Sequence, residues 1–353
     1  MTRLEALRAR MEHEGLDAAL ITDPLDRRYL SGFTGSAGWL LVTAERTILV
    51  LDFRYFERAA REAPAWEQAR VSTTFEAALF EAAAGLPIRR IGVQGDNLTV
   101  STFRRLETGM PEVALLPVEK LVVRDVKDEE EVEAIRAAVR CADDAWAHLR
   151  TVIAPGMSER EVAWILERHM REHGASATSF PIIVGSGPNG AMPHATAGER
   201  ALREGEPVVM DFGAVVDGYC SDITRTICLG QPDERYLSLW GLVLEVQERV
   251  EIEVRPGMTG KEADAIARDA FAAAGYGDAF GHALGHGVGL AIHEGPRLSR
   301  LAEDVVLAPG MVFTVEPGLY FPGWGGIRIE DMVVLREVGA EVLTKAEKEA
   351  VVG

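Results

Sequence analysis

A two-domain chain of mixed α/β and α+β class is what the sequence predicts, with an α/β domain over residues 1–124 and a pseudo-symmetric α+β domain over 125–353. Three observations carry that expectation. Up to Val123 short apolar runs alternate with helical patterns, which suits a mixed sheet covered by helices. From Arg124 to Lys127 this gives way to DEEEVEAIRAAVRCADDAWAHLRTVI (128–153), a sustained helical period with an acidic first turn suited to the helix dipole. The remainder repeats itself. IAPGMSEREVAWIL (153–166) returns as VRPGMTGKEADAIA (254–267), with Pro-Gly-Met aligned at an offset of 101 residues, and such a duplication predicts a pseudo-symmetric domain.

Taken in order, MTRLEALRARMEHEG (1–15) reads as a charged amphipathic helix over 2–14 rather than a signal peptide. Apolar strands follow at 17–22, 39–43 and 47–52, helical patterns near 54–63 and 75–84, and further strands at 90–93 and 113–123. The acid run Asp128 to Glu131 is most simply a solvated helix start. In each copy of the duplication Ser158 or Thr259 is an N-cap, and Glu161 or Glu262 completes a capping box three positions on. Gly205 precedes Asp211 by six residues, as Gly310 precedes Glu316, and His194 and His293 stand at matching places. The hairpins that begin at these glycines are therefore equivalent parts of two halves.

Those hairpins carry the chemistry. In PVVMDFGAVVDGYCSDITRTICL (207–229) an Asp-Gly loop at Asp217–Gly218 pairs Val216 with Tyr219 and Asp211 with Thr224, so Asp211 and Asp222 become diagonal neighbours on one face. In MVFTVEPGLYFPGWGGIRIEDMVVL (311–335) a loop centred near Gly323 puts Glu316 opposite Glu330, with Arg328 on the same face. Four carboxylates embedded in apolar strands would repel one another unless two divalent cations neutralised them. With His286 they form a donor set for a pair of divalent metal ions, and the imidazole shifts the preference from magnesium or calcium towards manganese, ranked first, or cobalt, zinc or iron. Gly285 and Gly287 beside His286 would let backbone approach the metal. Two metals sharing carboxylates lower the pKa of a water and make hydrolysis available. GSGPNG (185–190) formally fits a dinucleotide pattern, but Pro188 and Pro193 argue against the helix that pattern needs, and the segment reads as a loop delivering His194.

The blocks DFGAVVDGYCSDITRT (211–226), HALGHGVGLAIHEGP (282–296), VFTVEPGLY (312–320) and GGIRIEDMV (325–333) resemble the pita-bread metallopeptidases, the family of methionine aminopeptidase, aminopeptidase P and prolidase. YLSGFTGSAG (29–38) adds the longer aminopeptidase P and prolidase branch. The resemblance implies a creatinase-like α/β domain followed by a pita-bread catalytic domain. It implies that Asp211, Asp222, His286, Glu316 and Glu330 hold the metals, that Glu316 doubles as proton acceptor, and that His194, His282, His293 and Arg328 line the substrate site. Tyr320 borders that pocket or packs beside it. A homodimer follows from the resemblance alone.

Composition sets the outer limits. A formal charge of -18 argues against nucleic acid or an anionic membrane as partner, and no apolar run reaches spanning length. Cys141, Cys220 and Cys228 lack ligand spacing, which suggests free thiols in a reducing cytoplasm. The function these readings lead to is a metal-dependent exopeptidase that cuts between an N-terminal residue and proline in peptides with proline at the second position. An Xaa-Pro aminopeptidase is placed first on YLSGFTGSAG, with an Xaa-Pro dipeptidase (prolidase) as the alternative. A non-catalytic scaffold is a remote alternative, as is a creatinase-like amidinohydrolase that works without metal. Retention of the whole donor set argues against both.

Overall fold

Thr2 opens the first helix, α1 (Arg3–Glu14), through a capping box with Glu5, and Gly15 closes it in the left-handed conformation. The structure is a computed structural model that describes residues 1–352, and it divides into two units between Val123 and Arg124. The first unit continues with β1 (Ala18–Ile21), α2 (Pro24–Ser31), β2 (Trp39–Thr43), β3 (Thr47–Leu51), α3 (Phe56–Glu62), β4 (Glu67–Arg70), α4 (Phe75–Ala83), β5 (Arg90–Gln94), α5 (Val100–Gly109) and β6 (Ala114–Val118). Its sheet runs β4-β3-β2-β1-β5-β6. The β1–β2 and β2–β3 pairs are antiparallel and the others parallel, a mixed sheet. All of β1 is buried because both faces are covered, one by the core around Ile21, Phe33 and Leu40 and the other by that around Leu41, Ile91 and Leu106.

Three elements of this first unit have no counterpart in the sequence reading. α2 starts from Asp23, whose carboxylate accepts from the Leu25 and Asp26 amides that follow Pro24, α5 is amphipathic over ten residues, and β4 is a polar edge strand without alternation. The strand expected over 113–123 stops at Val118, where Glu119 and Lys120 turn, Lys120 with φ 47°. Pro117 is tolerated because β6 lies at the sheet edge. YLSGFTGSAG ends α2 and then loops over the buried Arg27, whose guanidinium donates to the Gly35 and Gly38 carbonyls beside the buried Phe33 ring.

The second unit opens with α6 (Glu129–Leu149), capped by Asp128. Its start is not simply solvated: Glu131 is buried and accepts from the Tyr219 hydroxyl at 3.1 Å. α7 (Glu159–Glu172), β7 (Ala177–Thr178), β8 (Ile183–Ser186), β9 (Pro207–Phe212), β10 (Ala214–Val216), β11 (Tyr219–Cys220) and β12 (Ile223–Leu229) complete the first half. Gly187–Ala191 is a short 3-10 turn, with no α-helix after β8 to receive a nucleotide. The second half holds α8 (Glu234–Glu253), α9 (Gly260–Ala273), β13 (Gly285–Gly287), β14 (Glu294–Leu298), β15 (Val312–Val315), β16 (Gly318–Phe321), β17 (Gly325–Arg328), β18 (Asp331–Arg336) and β19 (Gly339–Val342), before β20 (Val351–Val352) returns to pair with β12. The halves repeat bond for bond where their sequences repeat. Gly156 N donates to Leu202 O (2.9 Å) and Leu202 N to Met157 O (2.8 Å), and the second copy repeats this with Gly257, Leu307 and Met258 at 2.8 Å each. Each half has its own core, centred on Trp146, Leu166 and Phe212 in one and on Val243, Phe271 and Phe313 in the other.

Candidate metal centre

Asp217 and Gly218 both take positive φ (45° and 74°), a primed turn whose twist matches the strands it joins. From that turn the ladder runs Val216↔Tyr219, Phe212↔Ile223 and Asp211↔Thr224 in one register, so Asp211 closes β9 diagonally from Asp222. In the second hairpin Val315↔Asp331 and Gly318↔Arg328 flank Glu316 and Glu330, which fall opposite one another. The Glu330 amide leaves this ladder and donates to Thr224 O at 3.1 Å, tying the hairpins together.

One oxygen each of Asp211, Asp222 and Glu330 lies within 4.8 Å of the other two. His286 Nε2 is 3.5 Å from Asp222 Oδ2 and 3.4 Å from Glu316 Oε1. The five residues thus point at one small volume. Burial, then the neighbouring Glu330, Asp211 and Glu316 charges, push the Asp222 carboxyl well above the usual range. Burial, then Glu316 and Asp211, do the same to Glu330, and burial pushes Glu316 up to about 7.

Three features show that this donor set fits divalent cations. Asp211 Oδ1 and Glu330 Oε1 are buried without a hydrogen-bond partner, an arrangement that costs free energy unless something positive satisfies it. The remaining oxygens are held from behind: Thr224 Oγ1 donates to Glu330 Oε2 at 2.6 Å and Thr314 Oγ1 to Glu316 Oε1 at 3.0 Å. His286 Nδ1 faces the Gly287 carbonyl at 3.2 Å, so Nδ1 carries the proton and the Nε2 lone pair is aimed at the carboxylates. Burial holds that imidazole neutral by lowering its pKa. A lone pair facing two carboxylates calls for a cation or a proton between them. The flanking glycines serve a purpose other than the one expected, since a Cβ on Gly285 would meet Thr314 O at 2.0 Å and one on Gly287 would meet Gly295 O at 2.0 Å. They admit the neighbouring strands rather than the metal.

Beside this cluster runs a chain of donors. Arg328 Nη2 pairs with Asp211, its Nε donates to Thr224 Oγ1 at 2.9 Å, and its Nη1 donates to the Tyr320 hydroxyl at 2.8 Å. Burial works against the Arg328 cation, but Tyr320, Asp211, Glu316 and Glu330 outweigh it and hold it protonated. Tyr320 in turn lies 3.0 Å from His282 Nε2, while His282 Nδ1 lies 2.7 Å from Ala283 O. His282 is therefore neutral with its proton on Nδ1, and burial pushes its pKa down to about 4. Its Nε2 accepts from Tyr320 rather than standing free as a donor. His293 is exposed, its ring 4.2 Å from that of His286, and His194 is exposed on the loop after β8. The remaining histidines stand apart: His13 lies on α1, and His148 on α6, His169 on α7 and His173 just after α7 stack with ring centroids 4.6 and 3.9 Å apart. Arg297 is a site residue the sequence reading missed. It pairs with His286 across β13 and β14, so both side chains emerge on one face, and its charge lowers the proton affinity of His286 and His293. Only the register of these irregular strands reveals it.

Comparison with known proteins identifies the family. Residues 133–337 match the model of metallopeptidase family M24, and residues 3–125 match the creatinase/prolidase N-terminal domain. The chain is 37% identical over 352 residues to the Xaa-Pro dipeptidase of Pyrococcus furiosus, covering 98% of this chain and 99% of that protein. Among solved structures it is similar to an Xaa-Pro dipeptidase from Bacillus anthracis (41% identity, TM-score 0.96, covering 99% of this chain and 98% of that one). It is also similar to an X-Pro aminopeptidase from Thermotoga maritima (38% identity, TM-score 0.92, covering 99% and 100%).

Proposed function

The chain belongs to metallopeptidase family M24, with the creatinase/prolidase N-terminal domain ahead of the catalytic one, and from that premise we propose that it is an Xaa-Pro dipeptidase. The observation that carries the hydrolytic reading is the convergence of Asp211, Asp222, Glu330, Glu316 and His286 on one volume, with Asp211 Oδ1 and Glu330 Oε1 buried and without a hydrogen-bond partner. Two divalent cations bound there would polarise the scissile carbonyl and lower the pKa of a water towards neutrality. Asp211, Asp222, His286, Glu316 and Glu330 would hold them, and manganese, cobalt, iron and zinc all suit this donor set.

The chain's own residues supply the rest. Glu316, fixed by Thr314 and with its proton affinity raised towards neutrality, takes a proton from the attacking water and passes it to the proline nitrogen, which must gain a proton to leave. His194 and His293, exposed beside the cluster, donate to the carbonyl oxygen as charge builds on it. Arg328 and Tyr320 hold Asp211 and His282 in place.

Length preference rests on two supports. Relatives similar over the whole chain include dipeptidases from Pyrococcus furiosus and Bacillus anthracis, and the exposed Arg297 guanidinium beside His286 offers a cation for a carboxylate one residue beyond the scissile bond. The loop that put an aminopeptidase first in the sequence reading is occupied with the Arg27 guanidinium and Phe33 packing of its own domain, so it says little about substrate length. The aminopeptidase remains the second reading because of the Thermotoga maritima structure. Release of the N-terminal residue from Xaa-Pro and from Xaa-Pro-Yaa, by purified protein with manganese and with chelator, separates the two. Cleavage confined to the dipeptide is expected, faster tripeptide cleavage would make the chain an aminopeptidase, and no metal-dependent cleavage of either would end the peptidase reading.

A further inference from the structure

We propose that Glu159, the first residue of α7, is a positioning residue that fixes the loop presenting His194, an inference that rests on the role given to His194 above. The Glu159 side chain is 0% exposed, yet no arginine or lysine pairs with it directly. Its carboxylate is instead filled by donors from a single loop. Oε1 accepts from the Ser186 amide (2.8 Å), Ser186 Oγ (2.8 Å) and Asn189 Nδ2 (3.0 Å), and Oε2 accepts from Asn189 Nδ2 (3.1 Å) and the Gly198 amide (3.2 Å). Arg200 reaches the group only through Ser186 Oγ, to which it donates at 2.7 Å. One carboxylate thus ties down both ends of the segment from Ser186 to Gly198. His194 lies between them, exposed and without a hydrogen bond of its own, so what places its imidazole is the backbone of that loop.

The duplication supplies an internal control. In the second half the residue equivalent to Glu159 is Gly260, where a Cβ would meet Arg297 O at 2.1 Å. That copy nevertheless makes the same helix-start bonds: Arg160 N donates to Gly198 O at 3.0 Å, and Lys261 N donates to Ala302 O at 3.1 Å. The capping boxes of Ser158 and Thr259 are also both intact. The motif therefore folds without a carboxylate at this position. Burying one is costly without full compensation, and what the first copy gains is a clamp on the loop that carries His194. A reacting group displaced by about 1 Å loses on the order of 100-fold in rate, which is the scale on which such a clamp acts.

Glu159→Gln is the sharp variant. It keeps an acceptor for Ser186 but turns the other oxygen into an amide facing the Gly198 amide and Asn189 Nδ2, so the far end of the loop comes free. Asn189→Ala, at a half-buried position, removes the donor that bridges both oxygens and serves as the second variant should the first not fold. Amide hydrogen exchange of the metal-free protein should quicken across 187–198 in either variant and stay unchanged across the equivalent loop before Leu307. In the manganese-loaded enzyme kcat/KM on an Xaa-Pro substrate should fall about 10- to 100-fold, and the Glu159→Gln/His194→Ala double variant should be no slower than His194→Ala alone. Unchanged exchange, or losses that multiply in the double variant, would overturn the proposal. A silent His194→Ala would sink the role given to His194 instead, and the positioning inference with it, whereas a silent Glu159→Gln beside a damaged His194→Ala would sink only the positioning.

Discussion

Arg297 lies across from His286 on one face of β13 and β14, the ground on which it is proposed to receive a dipeptide's terminal carboxylate. Neutralising it should therefore harm binding more than chemistry. Arg297→Gln is expected to raise KM for an Xaa-Pro dipeptide about tenfold, equivalent to about 1.4 kcal/mol, with kcat little changed and a smaller effect on any tripeptide; equal losses on both substrates would remove Arg297 from carboxylate recognition. Tyr320 makes a different demand, because its hydroxyl accepts from Arg328 and donates to His282 inside the protein. Tyr320→Phe leaves both partners unsatisfied, at a cost of roughly 1–3 kcal/mol in stability, and should lower kcat rather than raise KM; thermal unfolding and steady-state kinetics would show whether both occur. Asp211, Glu316 and Glu330 stand out in the sequence because charges set in VVMD, VFTVE and IRIEDMVV have little solvent to face. Arg297 and Glu159 do not, since Arg297 is the exposed residue of a partly buried edge strand and Glu159 lies in an acidic first turn, and both patterns read as ordinary surface until their tertiary partners are known.

At the level of elements, register was the most legible quantity and polar pairing the least. An Asp-Gly turn fixes every pair above it, so Asp211 opposite Thr224 follows from the position of the turn alone. Short α2 and polar β4 lack the apolar period that identifies a longer or buried element. The contacts that lock the C-terminal segment are equally silent in sequence. Arg225 donates to Asp331 and to the Ala346 carbonyl at 2.7 Å each, Lys348 reaches Asp331 at 2.7 Å, and Glu251 of α8 is left 3.7 Å from the same lysine. Asp331 keeps the cation, with Arg225 and Lys348 outweighing its burial, while burial and the Asp331 charge push Glu251 up to about 8. The folded chain then holds the Glu251 proton more tightly than the unfolded chain does. Its contribution to stability is complete below about 4.5 and is lost progressively as pH rises to about 8. Glu251→Gln should accordingly match the wild type near pH 5 and unfold at a higher temperature than it near pH 8. Parallel melting temperatures across that range would show that Glu251 does not carry the penalty.

For the molecule as a whole the proposed metal centre is a linkage problem, because the residues that would hold the cations come from both halves of the duplication. Asp211 and Asp222 belong to the hairpin of the first half, and His286, Glu316 and Glu330 to the second, each half with a separate core. Without cations burial, and then the neighbouring carboxylate charges, push the Asp222 and Glu330 carboxyls well above the usual range; cations bound there would offset both. A cation that binds only the folded chain stabilises it by about 4 kcal/mol per site at a thousandfold excess over Kd, and in a domain of this size each kcal/mol is worth roughly 2–4 °C. Manganese should therefore raise the melting temperature by on the order of 10 °C over the same protein in chelator. Asp222→Asn and Glu330→Gln sharpen the test, since each removes one repelling charge while preserving shape. Both should lose most of the manganese-dependent rise and, in chelator, should melt above the wild type. A wild-type melting temperature indifferent to metal, or isosteres less stable than the wild type in chelator, would mean that the cluster holds its charge by some means other than bound cations.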